Sequence, residues 1–361
     1  MSISSNNQPS GASQPEVADA VLRLTGRVVV RFETLGGGRN SRVYRAVLND
    51  GGSVAVKCYG FNPDDPRDRL GTEFGSLRFL WRHGVRQIPE PLAADPPARI
   101  GVYEYIPGPS ALASGISADM LRSAIALLDG LRTLAGTHGL EWTGLASEAC
   151  FSFAAVVEGI RRRLDRLREG HRGGPSASDM AAFLRAKVGP LLDDVVKRGA
   201  SQLAAARIAP DDVLPVHRRT LSPSDFGFHN AIARMAGELV FVDFEYFGWD
   251  DPAKTVSDFL LHPAMALPDD LRRIVTKEAG AVFGSDPTYR VRLGAYYPLF
   301  GIKWCLILLN EFLPESLVRR RHAGVADGDL DDLRRTQLSK AEHMLCRVSH
   351  DYESLPDGPI Q

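Results

Sequence analysis

Three strand-like runs joined by two tight turns constrain this chain more than any other feature in it. The stretch Val28–Tyr59 reads VVVRFETLGGGRNSRVYRAVLNDGGSVAVKCY, and it is rich in valine, phenylalanine and tyrosine. It breaks at Gly36–Gly38 and again at Asn49–Gly52. Asn, Asp and Gly tolerate positive φ, so the second break is a strong hairpin turn. Connections this short join antiparallel neighbours, because a parallel pair needs a crossover of a dozen residues or more. The spacing therefore predicts an antiparallel meander.

Helical spacing of apolar residues follows at Pro66–His83, and RIGVYEYIPG, ending at Gly108, reads as another strand. Beyond Gly108 the pattern changes to helices, expected at 117–137, 150–170 and 178–205. The first has Ser117 as N-cap and Leu121, Ala124, Leu128 and Leu131 on one side. Helices return from about Pro268. The expected fold class is α+β, with an antiparallel-sheet N-terminal lobe over 17–106 and a mainly helical lobe over 107–350. Residues 1–16, rich in Ser, Asn, Gln and Gly, are expected to form a disordered tail, and 351–361 a loose one.

Composition narrows the partners. The 361 residues carry a formal net charge of -1, so nothing global draws the chain to nucleic acid or to an anionic membrane. Its polar opening segment predicts no secretory leader. No apolar run is expected to reach transmembrane length, since Leu306–Leu309 is closely flanked by Lys303, Asn310 and Glu311. Cys58, Cys150, Cys305 and Cys346 are scattered with no CxxC pair, which argues against a structural zinc site or a disulfide framework and suits a cytoplasmic protein. Oligomeric state is left open.

The glycines at Gly36, Gly37 and Gly38 admit two readings. The chain has no GxxxxGK[ST] loop, and a strand rather than a helix follows, so neither a Walker A loop nor a dinucleotide fingerprint fits. A plain turn remains, or a glycine-rich loop between antiparallel strands that covers nucleotide phosphates. Lys57 tips the balance. It sits in the apolar run VAVK, where an unpaired ammonium is expensive to bury. Glu73, sixteen residues later in the first long helix, is its expected partner, an arrangement that positions a lysine on phosphates. The plainer reading is a lysine at a strand edge reaching water.

LSPSDFGFHNAI and the following ELVFVDFEYFG place Asp225, Asn230 and Asp243 in order. Phosphoryl transfer asks one carboxylate to orient a hydroxyl and accept its proton, and asks hard oxygen ligands to hold Mg²⁺. Asp225 suits the first role; Asn230 and Asp243 suit the second. An acid in a strand as apolar as VFVDFEY needs a cation nearby. A single acid could merely start a turn or pair with an arginine, but five features in the right order point to phosphotransfer.

At these residues the chain resembles the aminoglycoside phosphotransferase / choline kinase-like family, small-molecule kinases of protein-kinase-like, bilobal fold. The resemblance covers about residues 28–310. Its most specific parts are SDFGFHN and VFVDFEYFGWDDPAKTVSDFL, similar to that family's HGD-x4-N and iDFEyaGwgDPa-Dla segments. It implies Asp225 as catalytic base, Asn230 and Asp243 as Mg²⁺ ligands, and Lys57 with Glu73 as the phosphate-binding pair for ATP. It also implies that the backbone near Glu104–Ile106 meets the adenine, with Glu104 and Ile106 flanking that contact.

Two departures stand out. Pro223-Ser224 occupies the place of the family's His-Gly, which opens an alternative reading as a nucleotide-binding pseudokinase or partner-binding module. Glu245 stands where protein kinases have the glycine of DFG, and no HRD or APE motif is present, which argues against a protein substrate. The acceptor is then a small molecule, aminoglycoside-, choline- or sugar-like, for which Glu245, Trp249, Asp250 and Trp304 are candidate contacts. Asp251-Pro252 reads better as a helix start, and the stripe Tyr296, Phe300, Trp304 reads more readily as core than as a cage.

Overall fold

The computed structural model describes residues 13–37, 41–61, 65, 67–170, 175–234, 237–314, 316 and 327–354. The chain divides into two units. The first takes residues 1–116, 133–147 and 223–248, and the second takes 117–132, 148–222 and 249–361. A single boundary at 106/107, as the sequence suggests, therefore misses two later stretches that return to the first unit. Those two stretches meet each other: Gly248 lies so close to the 144–146 backbone that a Cβ there would sit 2.2 Å from the Leu145 carbonyl carbon. The Ser147 amide also donates to the Tyr246 carbonyl at 3.0 Å.

The first unit is built on an antiparallel five-stranded sheet, ordered β1-β2-β3-β5-β4. Its strands are β1 (Val29–Gly37), β2 (Ser41–Leu48), β3 (Ser53–Tyr59), β4 (Pro91–Asp95) and β5 (Ile100–Glu104). The meander is as expected from the turns. On β2, Tyr44, Ala46 and Leu48 alternate into the core, where they meet Val54 and Val56 of β3 and Ile100 and Val102 of β5. Helix α1 (Gln14–Thr25) closes this face with Val17, Ala20 and Val21.

That helix overturns the reading of 1–16 as tail for residues 14–16. Ser13 and Glu16 form a capping box, Pro15 stands in the first turn, and Gly26 closes the helix at φ 71°. Three polar residues and a proline that read as disorder are a helix start. Residues 1–12 lie outside the described residues.

Helix α2 (Arg69–Arg82) follows β3, opened by Asp68, whose carboxylate accepts from the Gly71 amide at 2.8 Å. Later in the chain, β7 (Ala231–Ala233) and β8 (Leu239–Phe241) form a short antiparallel ladder in the same unit.

The second unit holds α4 (Phe153–Gly170), α5 (Pro175–Phe183), α6 (Gly189–Ala205), β6 (Thr220–Ser222), α7 (Pro252–Leu261), α8 (Asp269–Phe283), α9 (Tyr289–Leu308) and α10 (Asp327–Ser354). Helix α3 (Ala118–His138) contributes residues to both units. The strand β9 (Gly248–Asp250) precedes α7. At the centre is α9, against which α4, α6, α7 and α10 pack. Tyr289–Phe312 is in fact long and apolar enough to cross a membrane by length and composition, contrary to the expectation from its flanks, but 67% of its most apolar 18-residue stretch is buried in the protein. Tyr296 and Phe300 are core residues. The last helix continues through 351–354, which the sequence reading assigned to the tail; 355–361 lie outside the described residues.

Candidate active site

The sheet register sets the first half of the site. Gly36 of β1 pairs with Val43 of β2, Val43 with Lys57 of β3, and Lys57 with Gly101 of β5. One row across the sheet thus carries the glycine-rich turn and the lysine. Gly36 and Gly37 end β1, and Gly38 lies outside the described residues. Gly101 must lack a side chain, because a Cβ would meet the Tyr103 hydroxyl at 2.4 Å.

Lys57 is buried and its ammonium touches three acids. Nζ is 2.7 Å from Glu73 Oε2 on α2, 2.6 Å from Asp243 Oδ1 and 3.3 Å from Glu245 Oε2. Glu73 also accepts from the Tyr59 hydroxyl at 2.7 Å, and Tyr59 meets the Tyr103 hydroxyl at 2.8 Å. Glu245 is buried and is held on its other oxygen by Arg69 at 3.0 Å. Its carboxylate therefore braces α2 and Lys57.

The second half comes from residues 223–247. The β7–β8 ladder pairs Ala231 with Phe241, and one step further the Val242 amide donates to the Asn230 carbonyl at 2.8 Å. That hairpin sets Asn230 opposite Val242, the residue before Asp243. Phe226 and Phe228 anchor the preceding loop on Phe241, with ring centroids 4.9 Å and 6.4 Å away. Asn230 Nδ2 donates to the Asp225 carbonyl at 3.0 Å, which leaves its Oδ1 as the ligand-capable atom. Asp225 Oδ1 lies 3.2 Å from His229 Nε2. His229 was missed by sequence reasoning, although its i,i+4 spacing from Asp225 was visible.

The Pro223-Ser224 departure acquires a physical meaning. Ser224 has φ 69°, the left-handed region that a glycine adopts without strain. Its hydroxyl donates to the Ser147 carbonyl at 3.2 Å, and the Asp225 amide donates to the Pro223 carbonyl at 2.9 Å. The loop keeps a glycine-like backbone with a serine in it. Asp243 is also left-handed, at φ 67°. Two such residues flanking one cluster of acids is the kind of strain found at functional sites.

Charge explains what the cluster wants. Burial alone would lower the Lys57 pKa, but Glu73, Asp243 and Glu245 outweigh it and hold the ammonium charged. Burial raises Glu73, opposed by Lys57. Burial also raises Asp243, opposed by Lys57 and reinforced by Glu245 and Asp225. Several carboxylates share too few cations. The donor set of Asp243 and Asn230 is oxygen only, so the cluster fits a hard divalent ion.

Other candidates are placed differently. Glu104 ends β5, where its amide donates to the Glu90 carbonyl at 2.8 Å and its side chain pairs with Arg234 at 2.6 Å; Ile106 is buried. Trp249, Asp250 and Trp304 belong to the second unit. Asp250 is fully buried and bound by Lys254 at 2.6 Å; burial, partly opposed by Lys254, pushes its pKa up to about 6. Trp304 Nε1 is buried with no hydrogen-bond partner, and its ring meets His262 edge-on at 4.5 Å. Asp251 caps α7 through the Ala253 amide at 2.8 Å, with Pro252 in the first turn and Arg292 gripping both its oxygens.

A family model described as the phosphotransferase enzyme family matches residues 31–289. No curated protein matches the chain by sequence. Among solved structures, the chain is similar to spectinomycin phosphotransferase APH(9)-Ia, in complex with ADP and spectinomycin, at TM-score 0.62 and 12% identity, covering 96% of this chain and 100% of that one. It is similar to amicoumacin kinase hAmiN, in complex with AMP-PNP, Ca²⁺ and Ami, at TM-score 0.57 and 13% identity, covering 97% and 96%. An ethanolamine kinase from Plasmodium vivax gives TM-score 0.54 and 13% identity, covering 91% and 84%. At these identities the likeness is one of fold, and it is the protein-kinase-like α+β fold expected from the sequence.

Proposed function

The chain belongs to the phosphotransferase enzyme family, which makes it a small-molecule kinase, and from that premise we propose that it transfers the γ-phosphate of ATP to a hydroxyl of a small cationic or hydroxyl-rich molecule with Asp225 as the base. The observation that carries this reading is the convergence of Lys57, Glu73, Asp225, Asn230 and Asp243 in one unit.

Lys57, fixed by Glu73, directs its ammonium at the phosphates, and the Gly36–Gly37 end of β1, with Gly36 in the same sheet row, covers them. Asp225 orients the acceptor hydroxyl and takes its proton as the oxygen attacks. Asn230 Oδ1 and Asp243 would hold Mg²⁺, which supplies neutralisation of the phosphate charge. Positioning and electrostatics provide most of the rate in such transfers. Spectinomycin, amicoumacin and ethanolamine kinases share the fold, which supports an amine- or hydroxyl-bearing acceptor. Asp250 and Glu245, buried against Lys254 and Arg69, serve as internal braces in this reading. Four free cysteines suit a reducing cytoplasm.

The test is thermal unfolding with and without ATP and Mg²⁺, on the wild type and on Asp243→Ala. A ligand that binds only the native state raises its stability by mass action. The expected result is a Mg²⁺-dependent shift in the wild type that the variant loses. A folded wild type with no shift would move the reading to the partner-binding module.

A further inference from the structure

Away from the acids around Lys57, a second cluster of metal-ligating side chains lies in the first unit. His83 caps the C-terminus of α2, His138 ends α3, and Glu141 follows three residues later. His83 Nε2 is 3.3 Å from Glu141 Oε2, and His138 Nδ1 is 3.0 Å from Glu141 Oε1. The two imidazoles stack with centroids 4.0 Å apart and 30° between planes. One ligand atom from each of the three residues lies within 4.8 Å of the others.

We propose that His83, His138 and Glu141 form a site for a borderline-soft divalent ion of the Zn²⁺ class. Two imidazole nitrogens and one carboxylate with an open fourth position is a donor set that Zn²⁺ takes in tetrahedral geometry. Mg²⁺ prefers oxygen alone, so the set separates this site from the one at Asp243. Zn–N and Zn–O bonds of about 2.0–2.2 Å put tetrahedral donors roughly 3.3–3.5 Å apart, so the solvent-open His138 must turn out of its stack on His83 until both ring nitrogens point at one ion.

The neighbourhood suits this. The Phe79 ring packs on His83 at 4.9 Å, edge to face, and holds the imidazole in place. His83 is mostly buried, whereas His138 and Glu141 are open to solvent and give an ion a way in. Arg82 also contacts Glu141 Oε2, but its side chain is 63% exposed and can swing into water when an ion takes that oxygen. The absence of a CxxC pair bears only on cysteine ligands. An ion here would tie the end of α2, the helix that carries Glu73, to the segment after α3.

The experiment titrates Zn²⁺ alone into the metal-stripped full chain by calorimetry, with millimolar Mg²⁺ present throughout to occupy oxygen-only sites. Unfolding temperature is recorded alongside. We expect one Zn²⁺ per chain with a micromolar or tighter dissociation constant and a raised unfolding temperature. His83→Gln/His138→Gln should weaken binding by about a hundredfold, the scale of losing metal-ligand support. Should the double variant fold poorly, solvent-open His138→Gln alone must still weaken binding at least tenfold. A wild type that binds no Zn²⁺ in this range, or variants that bind as tightly as it does, overturns the proposal. Neither result bears on the phosphotransfer reading, which uses none of these residues.

Discussion

Lys57 Nζ lies 2.6 Å from Asp243 Oδ1, a contact between residues 186 positions apart in sequence. Together with Glu73 and Glu245 it makes one ammonium the shared counter-ion of three carboxylates. That relationship joins the strand proposed to position phosphates to the residue proposed to hold a metal.

Asp225→Asn should lower turnover by roughly 10²–10⁴-fold, the usual contribution of a positioned general base. Asparagine keeps the size of the side chain, so nucleotide binding should persist. Steady-state rates of ADP release and the ATP-dependent unfolding shift measure the two separately. Equal turnover in the variant would remove Asp225 from the chemistry.

Lys57→Met should destabilise the fold by about 3–5 kcal/mol, because it leaves buried carboxylates without their ammonium. Denaturant unfolding without nucleotide reads this directly. A loss below about 1 kcal/mol, the range of an exposed pair, would mean that water already compensates these acids.

Mg²⁺ binding should release protons under mildly acidic conditions. Burial, with Glu245 and Asp225 nearby, holds the Asp243 pKa above its ordinary value, so this carboxyl takes up its proton at a higher pH than an exposed aspartate does. A metal binds the deprotonated form, so affinity should fall as pH drops and each binding event should expel part of a proton. By the same sign, a raised carboxyl stabilises the native state most at low pH, and that contribution is lost as pH rises through its folded pKa. Calorimetry in two buffers of different ionisation enthalpy checks the proton count, and Asp243→Asn should abolish the release.

Ser224→Gly and Ser224→Ala should differ in a definite order. A left-handed non-glycine residue costs about 1–2 kcal/mol. Glycine removes that strain at an entropic cost of roughly 0.5–1 kcal/mol. It also gives up the bond to the Ser147 carbonyl, worth about 1 kcal/mol. The terms nearly cancel for glycine, whereas alanine loses the bond and keeps the strain. Alanine should therefore be the less stable variant by about 1 kcal/mol, and the opposite order in denaturant unfolding would refute the account of this loop.

In the second unit, Lys254→Met should cost about 3–5 kcal/mol by stranding buried Asp250. The double variant Lys254→Met/Asp250→Asn should recover a large part, since it removes the uncompensated charge. A double-mutant cycle measures the coupling, and strictly additive losses would show that the pair does not act as a unit.

Local chemistry wrote part of this protein plainly. Asn49–Gly52 dictates a hairpin because those residues accept positive φ, and the valine-rich runs beside it can only be strands, so Lys57 had to stand on β3. Asp251-Pro252 had to open a helix, since one side chain satisfies a free amide and the other has none to satisfy. The order of Asp225, Asn230 and Asp243 declared the class of chemistry. What the sequence could not carry is anything set by register and docking over long separations. Ser13–Glu16 looks disordered until the α1 helix has a sheet face to cover. Ser224 looks like a broken motif until its backbone proves left-handed. Glu245 looks open to a substrate until Arg69 and Lys57 close on it. Turn and periodicity signals act over a few residues, where φ/ψ preference and side-chain spacing decide the outcome. Which acid shares which cation depends on how strands and loops 100 or more positions apart come to lie, as the 176 positions between Arg69 and Glu245 show, and only the folded chain decides that.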